Sequence, residues 1–286
     1  MGEVDGRFAA VRRRIVNTRA EDGVYALRYA TRDASVRGEH FYGHPEGCMD
    51  AWPIHYYMWA ILRGKTVIVV DAGFTREEAA RRGQRNYGKS PIDLLGSLGV
   101  EPHEVSHLIL THLHYDHTGF VGDFPAAKVH VQQAELDFWR SPMAKRGAYS
   151  HLVNSADLQQ ITRLEKDGRL SVVDGDFDLA QSVTVHLVGG HTAGTQVVRV
   201  ATTEGPIVLA SDASHFYENY ENDKPYGVVH ELSLMYTAFD KLHTLAEPDG
   251  TIVPGHDPSV PNRHIPMPEL DEAITQLHPT ANEENK

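Results

Sequence analysis

Three histidines and an aspartate occur within six consecutive positions of the chain, as His112, His114, Asp116 and His117. They follow an apolar run at residues 108–110, which predicts a short buried strand. Side chains two positions apart on an extended chain share a face, so His112 and His114 can converge on one point. The following turn can direct Asp116 and His117 toward a second point. The spacing therefore predicts two adjacent metal positions.

Further residues of the same chemical types follow three later predicted strands, as His191, Asp212 and His256. Imidazole suits zinc, and a catalytic zinc typically keeps three protein ligands and one open position, so one short stretch rarely completes a site. Any single histidine among the 18 of this chain could be a surface or hydrogen-bonded residue. The repeated placement just past a strand favours a metal centre assembled from several loops.

Hydrophobic patterns predict the elements that must hold these loops. Strands are predicted at residues 24–31, 54–62, 67–70, 108–110, 128–131, 170–173, 183–188, 196–200, 207–209 and 252–253. Helices are predicted at residues 75–82, from residue 91 to about residue 96, at residues 133–139 and at residues 231–245, with irregular helices between residues 141 and 167. Ser90 is placed to cap the second helix and Pro91 to begin it.

The stretch from His112 to His117 meets the H-x-H-x-D-H signature of the metallo-β-lactamase superfamily without a gap. The chain resembles that superfamily from about residue 25 to residue 265. The resemblance implies an α+β fold, an αββα sandwich of two mixed β-sheets flanked by helices. It also implies a single domain over residues 1–286, with a core at about 24–268 between a polar N-terminal arm and a polar C-terminal tail.

The resemblance also implies how the ligands are divided between two divalent metal ions. His112, His114 and His191 would hold one metal, while Asp116, His117 and His256 would hold the other, and Asp212 would bridge them. Zinc is the first expectation, and iron, cobalt and manganese stay open because sequence does not fix the metal. Asp71, which follows a predicted strand, is expected to support a metal-binding histidine by a hydrogen bond. A helix cap is the alternative for Asp71.

Two adjacent metals can hold a bridging water as hydroxide and polarise a carbonyl group, which predicts hydrolysis of an ester, lactone, thioester or amide. Asp116 can also carry a proton to the leaving alkoxide. Within the superfamily the chain looks most like the N-acyl homoserine lactonases, which implies a lactonase that opens these or similar small lactones. The alternatives are a hydrolase of another cyclic ester or amide, a thioesterase and a mononuclear iron sulfur dioxygenase.

Substrate contacts are less well specified than the metal ligands. In the lactonases that the chain resembles, a tyrosine three residues after the bridging aspartate contacts the substrate carbonyl, and His215 occupies that position here. A histidine can donate the same hydrogen bond, so His215 is predicted to be catalytic and to bind substrate. Tyr217 is a second candidate, and Tyr115 is predicted to line the pocket. The alternative for each of these side chains is that it packs its loop.

Composition restricts the partners and the compartment. The net charge of −12, from 27 basic and 39 acidic residues, opposes binding to nucleic acid, which needs a basic surface. No apolar stretch approaches the ~18 residues of a membrane span. The basic residues at Arg12 are not followed by an apolar stretch of signal-peptide length, so we expect no secretory leader. The single cysteine, Cys48, fits a reducing compartment. We therefore expect a cytoplasmic enzyme for a small lactone, with a homodimer left open.

Overall fold

A computed structural model describes residues 19–277, so the predicted polar arm up to residue 18 and the predicted tail from residue 278 lie outside the described residues. The strands are β1 Gly23–Arg32, β2 Ile54–Arg63, β3 Thr66–Val70, β4 Asn86–Tyr87, β5 Val105–Ile109, β6 Lys128–Gln132, β7 Leu170–Val173, β8 Phe177–Ala180, β9 Val183–Leu187, β10 Gln196–Thr202, β11 Gly205–Ser211, β12 Thr251–Pro254, β13 Ile265–Pro266 and β14 Ile274–Leu277. The helices are α1 Arg76–Arg82, α2 Pro91–Ser97, α3 Tyr115–Thr118, α4 Gln133–Arg140, α5 Gly147–Ser150, α6 Ser155–Lys166, α7 Tyr217–Glu221, α8 Leu232–Ala246 and α9 Val260–Arg263.

The strands form two mixed sheets. The larger sheet has nine strands in the order β13-β14-β1-β2-β3-β5-β6-β7, with β4 paired to β1. Its β3, β5, β6 and β7 are parallel neighbours, whereas β1, β2 and β3 pair antiparallel. The smaller sheet has five strands in the order β12-β11-β10-β9-β8, and only its β11 and β12 pair in parallel.

Strand β2 shows how the sequence builds the layers, because its side chains alternate between the two faces of the larger sheet. Trp59 and Ile61 join the apolar cluster between the two sheets, where Leu209 of the smaller sheet meets them. Met58 and Leu62 join the cluster on the opposite face, beneath the helices. The outer face of the smaller sheet packs against α8, through buried residues that include Ala238, Phe239 and Leu242. The predicted αββα sandwich of two mixed sheets is confirmed.

Most predicted elements are found, and the N-terminus of α2 is the clearest case. The Ser90 hydroxyl accepts a hydrogen bond from the Asp93 N–H at 3.1 Å, and Pro91 begins the helix. The short strands β4, β8, β13 and β14 were not predicted. The core boundary at residue 268 is corrected, since β14 pairs with β1 and buries Ile274 and Leu277. Four residues in polar surroundings are too few to show a strand pattern.

The strands that precede the predicted ligands belong to both sheets. The loop with His112 to His117 follows β5 of the larger sheet, whereas His191, Asp212 and His256 follow β9, β11 and β12 of the smaller sheet. Strands β9, β11 and β12 run in the same direction, so their carboxyl ends meet at one edge. The fold thus brings ligand-bearing loops of both sheets to one place. Within residues 19–277, no helix is both long enough and apolar enough to span a bilayer.

Candidate metal centre

All seven predicted metal ligands lie together in three overlapping groups of buried residues. Within each group the ligand atoms lie within 4.8 Å of one another. The first group holds His112, His114, His191 and Asp212, the second holds Asp116, His117 and His256, and the third holds Asp212, His215 and His256. Imidazole nitrogens and carboxylate oxygens in such clusters suit divalent transition metals.

Asp212 belongs to the first group and also faces two histidines of the second. Its Oδ2 is 3.6 Å from His112 Nε2 and 3.2 Å from His191 Nε2. Its Oδ1 is 3.4 Å from His117 Nε2 and 3.0 Å from His256 Nε2. Each carboxylate oxygen therefore faces a different set of histidines, which is the geometry of a bridging ligand.

Backbone carbonyls orient two of the histidine rings. His191 Nδ1 lies 2.9 Å from the Val228 carbonyl oxygen, and His256 Nδ1 lies 2.7 Å from the His55 carbonyl oxygen. A carbonyl can only accept, so Nδ1 is the donor in both rings, and Nε2 of the neutral ring keeps its lone pair. Both Nε2 atoms face the centre in the form that binds metal.

Asp71 orients a third ring. Its side chain is fully buried, and its Oδ2 accepts a hydrogen bond from His117 Nδ1 at 2.7 Å. The same carboxylate accepts from the Thr111 N–H at 2.8 Å, the Thr111 hydroxyl at 2.9 Å and the Ser211 hydroxyl at 3.1 Å. The helix-cap alternative does not hold, because Thr75 caps α1. Asp71 thereby fixes the ring of His117, which is one of the candidate metal ligands.

Several polar atoms of the centre have no protein partner. His112 Nε2, His117 Nε2 and Asp212 Oδ1 are buried and make no hydrogen bond with any residue of the described range 19–277. A buried polar atom without a partner is costly, and cations bound at the two ligand groups would satisfy these atoms. Burial and the neighbouring imidazoles hold the pKa values of His112 and His114 well below the usual range, which keeps both rings neutral. Neutral imidazole is the form that ligates metal, so these residues fit divalent ions.

Glu135 connects two of the ligand loops, and sequence analysis did not single it out. Its carboxylate is fully buried and accepts from the Leu113 N–H at 2.9 Å and from Trp139 Nε1 at 2.6 Å. It also accepts from the Thr192 hydroxyl at 2.6 Å and the Gly194 N–H at 2.8 Å. A Cβ at Gly194 would lie 2.5 Å from the Glu135 nitrogen, so the close approach requires glycine. Glu135 thereby fixes the loop after β5 against the loop after β9.

A cavity of about 230 Å³ opens onto the ligand groups. Its wall includes Tyr115, as predicted, and Tyr115 receives a hydrogen bond of 3.0 Å from Arg85. Burial, followed by the charge of Asp116, raises the pKa of Tyr115 well above its usual range, so the phenol stays neutral. The wall also holds Tyr226 and three arginines that the sequence did not indicate, Arg32, Arg82 and Arg85.

His215 lies in the cavity wall beside the ligand groups. Its Nε2 is 3.0 Å from Asp212 Oδ2, while its Nδ1 is buried with no hydrogen-bond partner. Its ring stacks on Tyr226, with 3.3 Å between the ring centres and 5° between the planes. The stacking fixes the plane of the imidazole against the cavity.

Tyr217 is not in the cavity wall, which corrects the prediction that it contacts substrate. Its ring belongs to the apolar cluster between the two sheets and is 3% exposed. Its hydroxyl is 3.3 Å from His264 Nε2, and the Arg263 guanidinium lies 3.7 Å from the ring centre. Helix α7 begins at this residue and turns the side chain away from His215. Tyr217 is close to His215 in sequence, but its side chain packs between the sheets rather than in the cavity.

Comparison with known proteins gives a family match over most of the chain. The model of the metallo-beta-lactamase superfamily matches residues 52–256. An N-acyl homoserine lactonase of Bacillus sp is 30% identical over 145 residues, which are 50% of this chain and 52% of that protein. The N-acyl homoserine lactonase AttM of Agrobacterium fabrum is 31% identical over 173 residues, which are 58% of this chain and 64% of that protein. The chain thus matches between half and two thirds of the length of these relatives.

A solved structure of an N-acyl homoserine lactone hydrolase, with the product N-hexanoyl-L-homoserine bound at its catalytic metal centre, has the same fold. The two chains superimpose with a TM-score of 0.61 at 20% identity, over 84% of this chain and 95% of that chain.

Proposed function

Because this chain belongs to the metallo-β-lactamase superfamily, we propose that it is a dinuclear metal-dependent hydrolase that opens small lactones. The position of Asp212 carries the proposal, since each of its carboxylate oxygens faces a different set of histidines. The relatives named N-acyl homoserine lactonases make the acyl homoserine lactones the first substrate class to test.

In the proposed centre each metal takes ligands from both sheets. His112, His114 and His191 would hold one ion, Asp116, His117 and His256 would hold the other, and Asp212 would lie between them. The donor set of imidazoles and carboxylates favours zinc, with iron, cobalt or manganese as the other candidates. When bound, such ions lower the pKa of water and polarise a substrate carbonyl.

Asp116 is the proton carrier in this proposal. Its carboxylate lines the cavity and lies 3.9 Å from His256 Nε2 and 3.7 Å from His117 Nε2. Water forms the new bond to the carbonyl carbon and gives a proton to Asp116. The ring C–O bond then breaks, and Asp116 returns that proton to the leaving alkoxide. The product is one open chain with an alcohol and a carboxylic acid, and the acid releases the second proton of the water to solvent as it becomes a carboxylate.

His215 is proposed to orient the substrate carbonyl. Its ring is held by the stack on Tyr226, and its Nδ1 has no partner among the residues that the structure describes. When bound metal ions neutralise the Asp212 carboxylate, Nε2 no longer has to donate to it. The single proton of the neutral ring can then lie on Nδ1 and be donated to a substrate oxygen. A preorganised donor of this kind stabilises developing negative charge on that oxygen.

The test is hydrolysis of acyl homoserine lactones and simple γ- and δ-lactones by metal-loaded protein, followed by proton release. We expect turnover that a chelator abolishes and zinc or cobalt restores, with about two metal ions bound per chain. Replacing His256 by asparagine should lower the metal content and the activity together. His44→Asn is the matched control, because His44 is exposed and outside the centre.

Lactone opening that survives complete removal of metal would overturn the proposal. A glutathione thioester serves as a control substrate for the thioesterase alternative. The homodimer and the cytoplasmic location remain predictions, for which sedimentation and cell fractionation are the measurements.

A further inference from the structure

The cavity beside the proposed metal centre contains a cluster of cations that a neutral lactone does not need. Arg32, Arg82 and Arg85 all line this one cavity. The whole chain has a net charge of −12, so a general excess of basic residues does not explain three arginines in one cavity. Positive groups in a cleft raise the local concentration of anions and increase their rate of binding.

Two of the three arginines already have carboxylate partners. Arg82 Nε lies 2.5 Å from Glu78 Oε1, and the Arg82 guanidinium also donates to the His151 carbonyl oxygen at 2.8 Å. Arg32 is paired with Glu39 through a short contact. The positive charges of Arg32 and Arg82 are therefore largely compensated within the protein.

Arg85 differs from both neighbours. No Asp or Glu oxygen within residues 19–277 comes within 4.0 Å of its guanidinium nitrogens. Its two hydrogen bonds go to neutral acceptors, the Gly83 carbonyl oxygen at 2.9 Å and the Tyr115 hydroxyl at 3.0 Å. Its Nε, like that of Arg32, is buried and makes no hydrogen bond within residues 19–277. A half-buried cation with unsatisfied N–H donors destabilises the fold unless an anion pairs with its charge and accepts from those donors.

We propose that Arg85 binds a carboxylate group of the substrate, so that the preferred substrate is a compact lactone that carries a negative charge. This inference rests on the proposed lactone-opening function and names the substrate class for it. A guanidinium binds a carboxylate through parallel hydrogen bonds, which fixes orientation as well as charge. The Tyr115 hydroxyl holds the guanidinium in the wall that also carries Asp116 and His215.

The size of the cavity supports the same substrate class. Its volume of about 230 Å³ is below the roughly 300–1,000 Å³ of pockets for drug-sized ligands. A five-membered lactone with one short charged substituent is of suitable size. An uncharged acyl homoserine lactone would leave Arg85 without an anionic partner.

The experiment compares two lactones that differ only in charge, 5-oxotetrahydrofuran-2-carboxylate and its primary amide. With metal-loaded full-length protein we expect kcat/KM to be about 10- to 100-fold higher for the carboxylate, as a charge-assisted hydrogen bond gives. Arg85→Gln should bring the ratio of the two kcat/KM values close to 1, and Arg85→Lys should restore part of it. Arg81→Gln is the matched control, because Arg81 is an exposed arginine of α1 outside this cavity and should leave the ratio unchanged.

A second readout does not depend on turnover. Binding of tetrahydrofuran-2-carboxylate and of its amide to metal-free protein is measured by ligand-observed NMR. If the protein binds the carboxylate more tightly than the amide, and Arg85→Gln abolishes this preference, the inference is supported. It is supported even if no lactone is opened, and in that case only the proposed function fails. Equal kcat/KM values for the two lactones in wild-type protein, together with equal binding of the two ring analogues, would overturn it. These wild-type measurements decide the matter even if Arg85→Gln does not fold.

Discussion

His117 donates its Nδ1 proton to Asp71 across 2.7 Å, and this hydrogen bond joins helix α3 to the residue that follows strand β3. Asp71 adopts a φ of 62°, a left-handed conformation that residues other than glycine, asparagine and aspartate seldom adopt. This backbone conformation turns the carboxylate toward His117, Thr111 and Ser211 together. The direction of His117 Nε2 is thus decided by a residue that cannot itself reach the centre.

Asp71→Asn is expected to weaken metal binding by about 10- to 100-fold, which is the usual cost of losing a partner that orients a ligand. The amide keeps the size of the carboxylate, but its NH2 group cannot accept the His117 proton. Competition with a chromogenic chelator measures the dissociation constant. Asp178→Asn, an exposed position on β8, should leave that constant unchanged, and equal affinity for the Asp71 variant would contradict the assigned role.

Glu135→Gln should lower the free energy of unfolding of the metal-free protein by about 1–3 kcal/mol, because a buried donor would lose its acceptor. One amide oxygen can still accept from Leu113 and Trp139, but the amide NH2 would face the donors of Thr192 and Gly194. Urea unfolding measures the change. Glu165→Gln removes a surface pair with Arg140 and should change stability by less than about 0.5 kcal/mol. Equal loss in both variants would contradict the special position of Glu135.

Asp157 should make stability depend on pH near neutrality. Burial raises the pKa of its carboxyl to about 6, although a hydrogen bond of 3.0 Å from the Thr118 hydroxyl opposes the shift. Because the folded pKa lies above the unfolded value, the group destabilises the fold progressively as pH rises from about 4 to 6, and fully above that. Asp157→Asn removes the charge and keeps an acceptor for Thr118. We expect the variant to be more stable by on the order of 1 kcal/mol at pH 7.5.

Thermal unfolding of the metal-free proteins across pH 4 to 8 measures this difference. The advantage of Asp157→Asn should be small at pH 4, grow up to about pH 6.5 and stay constant above it. An advantage that is equal at pH 4 and pH 7.5 would show that charge at Asp157 is not the cause.

His215→Gln should reduce kcat by about 100-fold or more while the metal content stays unchanged, since losing one donor to a developing oxyanion has an effect of this size. His215→Tyr should retain part of the activity, because a phenol can donate the same hydrogen bond. Turnover and metal content are measured on the same samples. A loss of bound metal in His215→Gln would show instead that His215 is a ligand, as its 3.0 Å approach to Asp212 also allows.

The candidate ligands could be singled out from the sequence because each follows a predicted strand, whereas their division between two metals came only from the resemblance. On an extended chain, side chains two positions apart share a face, and His112 and His114 have this spacing. Asp116 and His117 follow directly, where the chain turns. The elements with strong patterns, such as β2 and α8, were predicted for the same reason. Because β2 is buried on both faces, its sequence is a long apolar run, which predicts a strand rather than a loop.

The substrate side of the site was not predictable in this way. Arg85 follows a helix that reads as charged surface, and it enters the cavity because the loop after α1 folds back over Tyr115. Glu135 likewise occupies an ordinary helical position in sequence, and only the arrival of two loops buries it. Tyr226 stacks on His215, but it lies in a loop whose sequence has no helical or strand periodicity. Such contacts depend on tertiary structure, for which spacing carries no signal.

The division of the ligands between the two sheets has a consequence for the order of folding events. The first two ligand groups are incomplete on either sheet alone, because each joins residues that follow β5 to residues that follow β9, β11 or β12. A chain whose sheets have not yet docked therefore lacks a full donor set at both proposed metal positions. We expect the two ions to be taken up late, by chains already assembled into the sandwich.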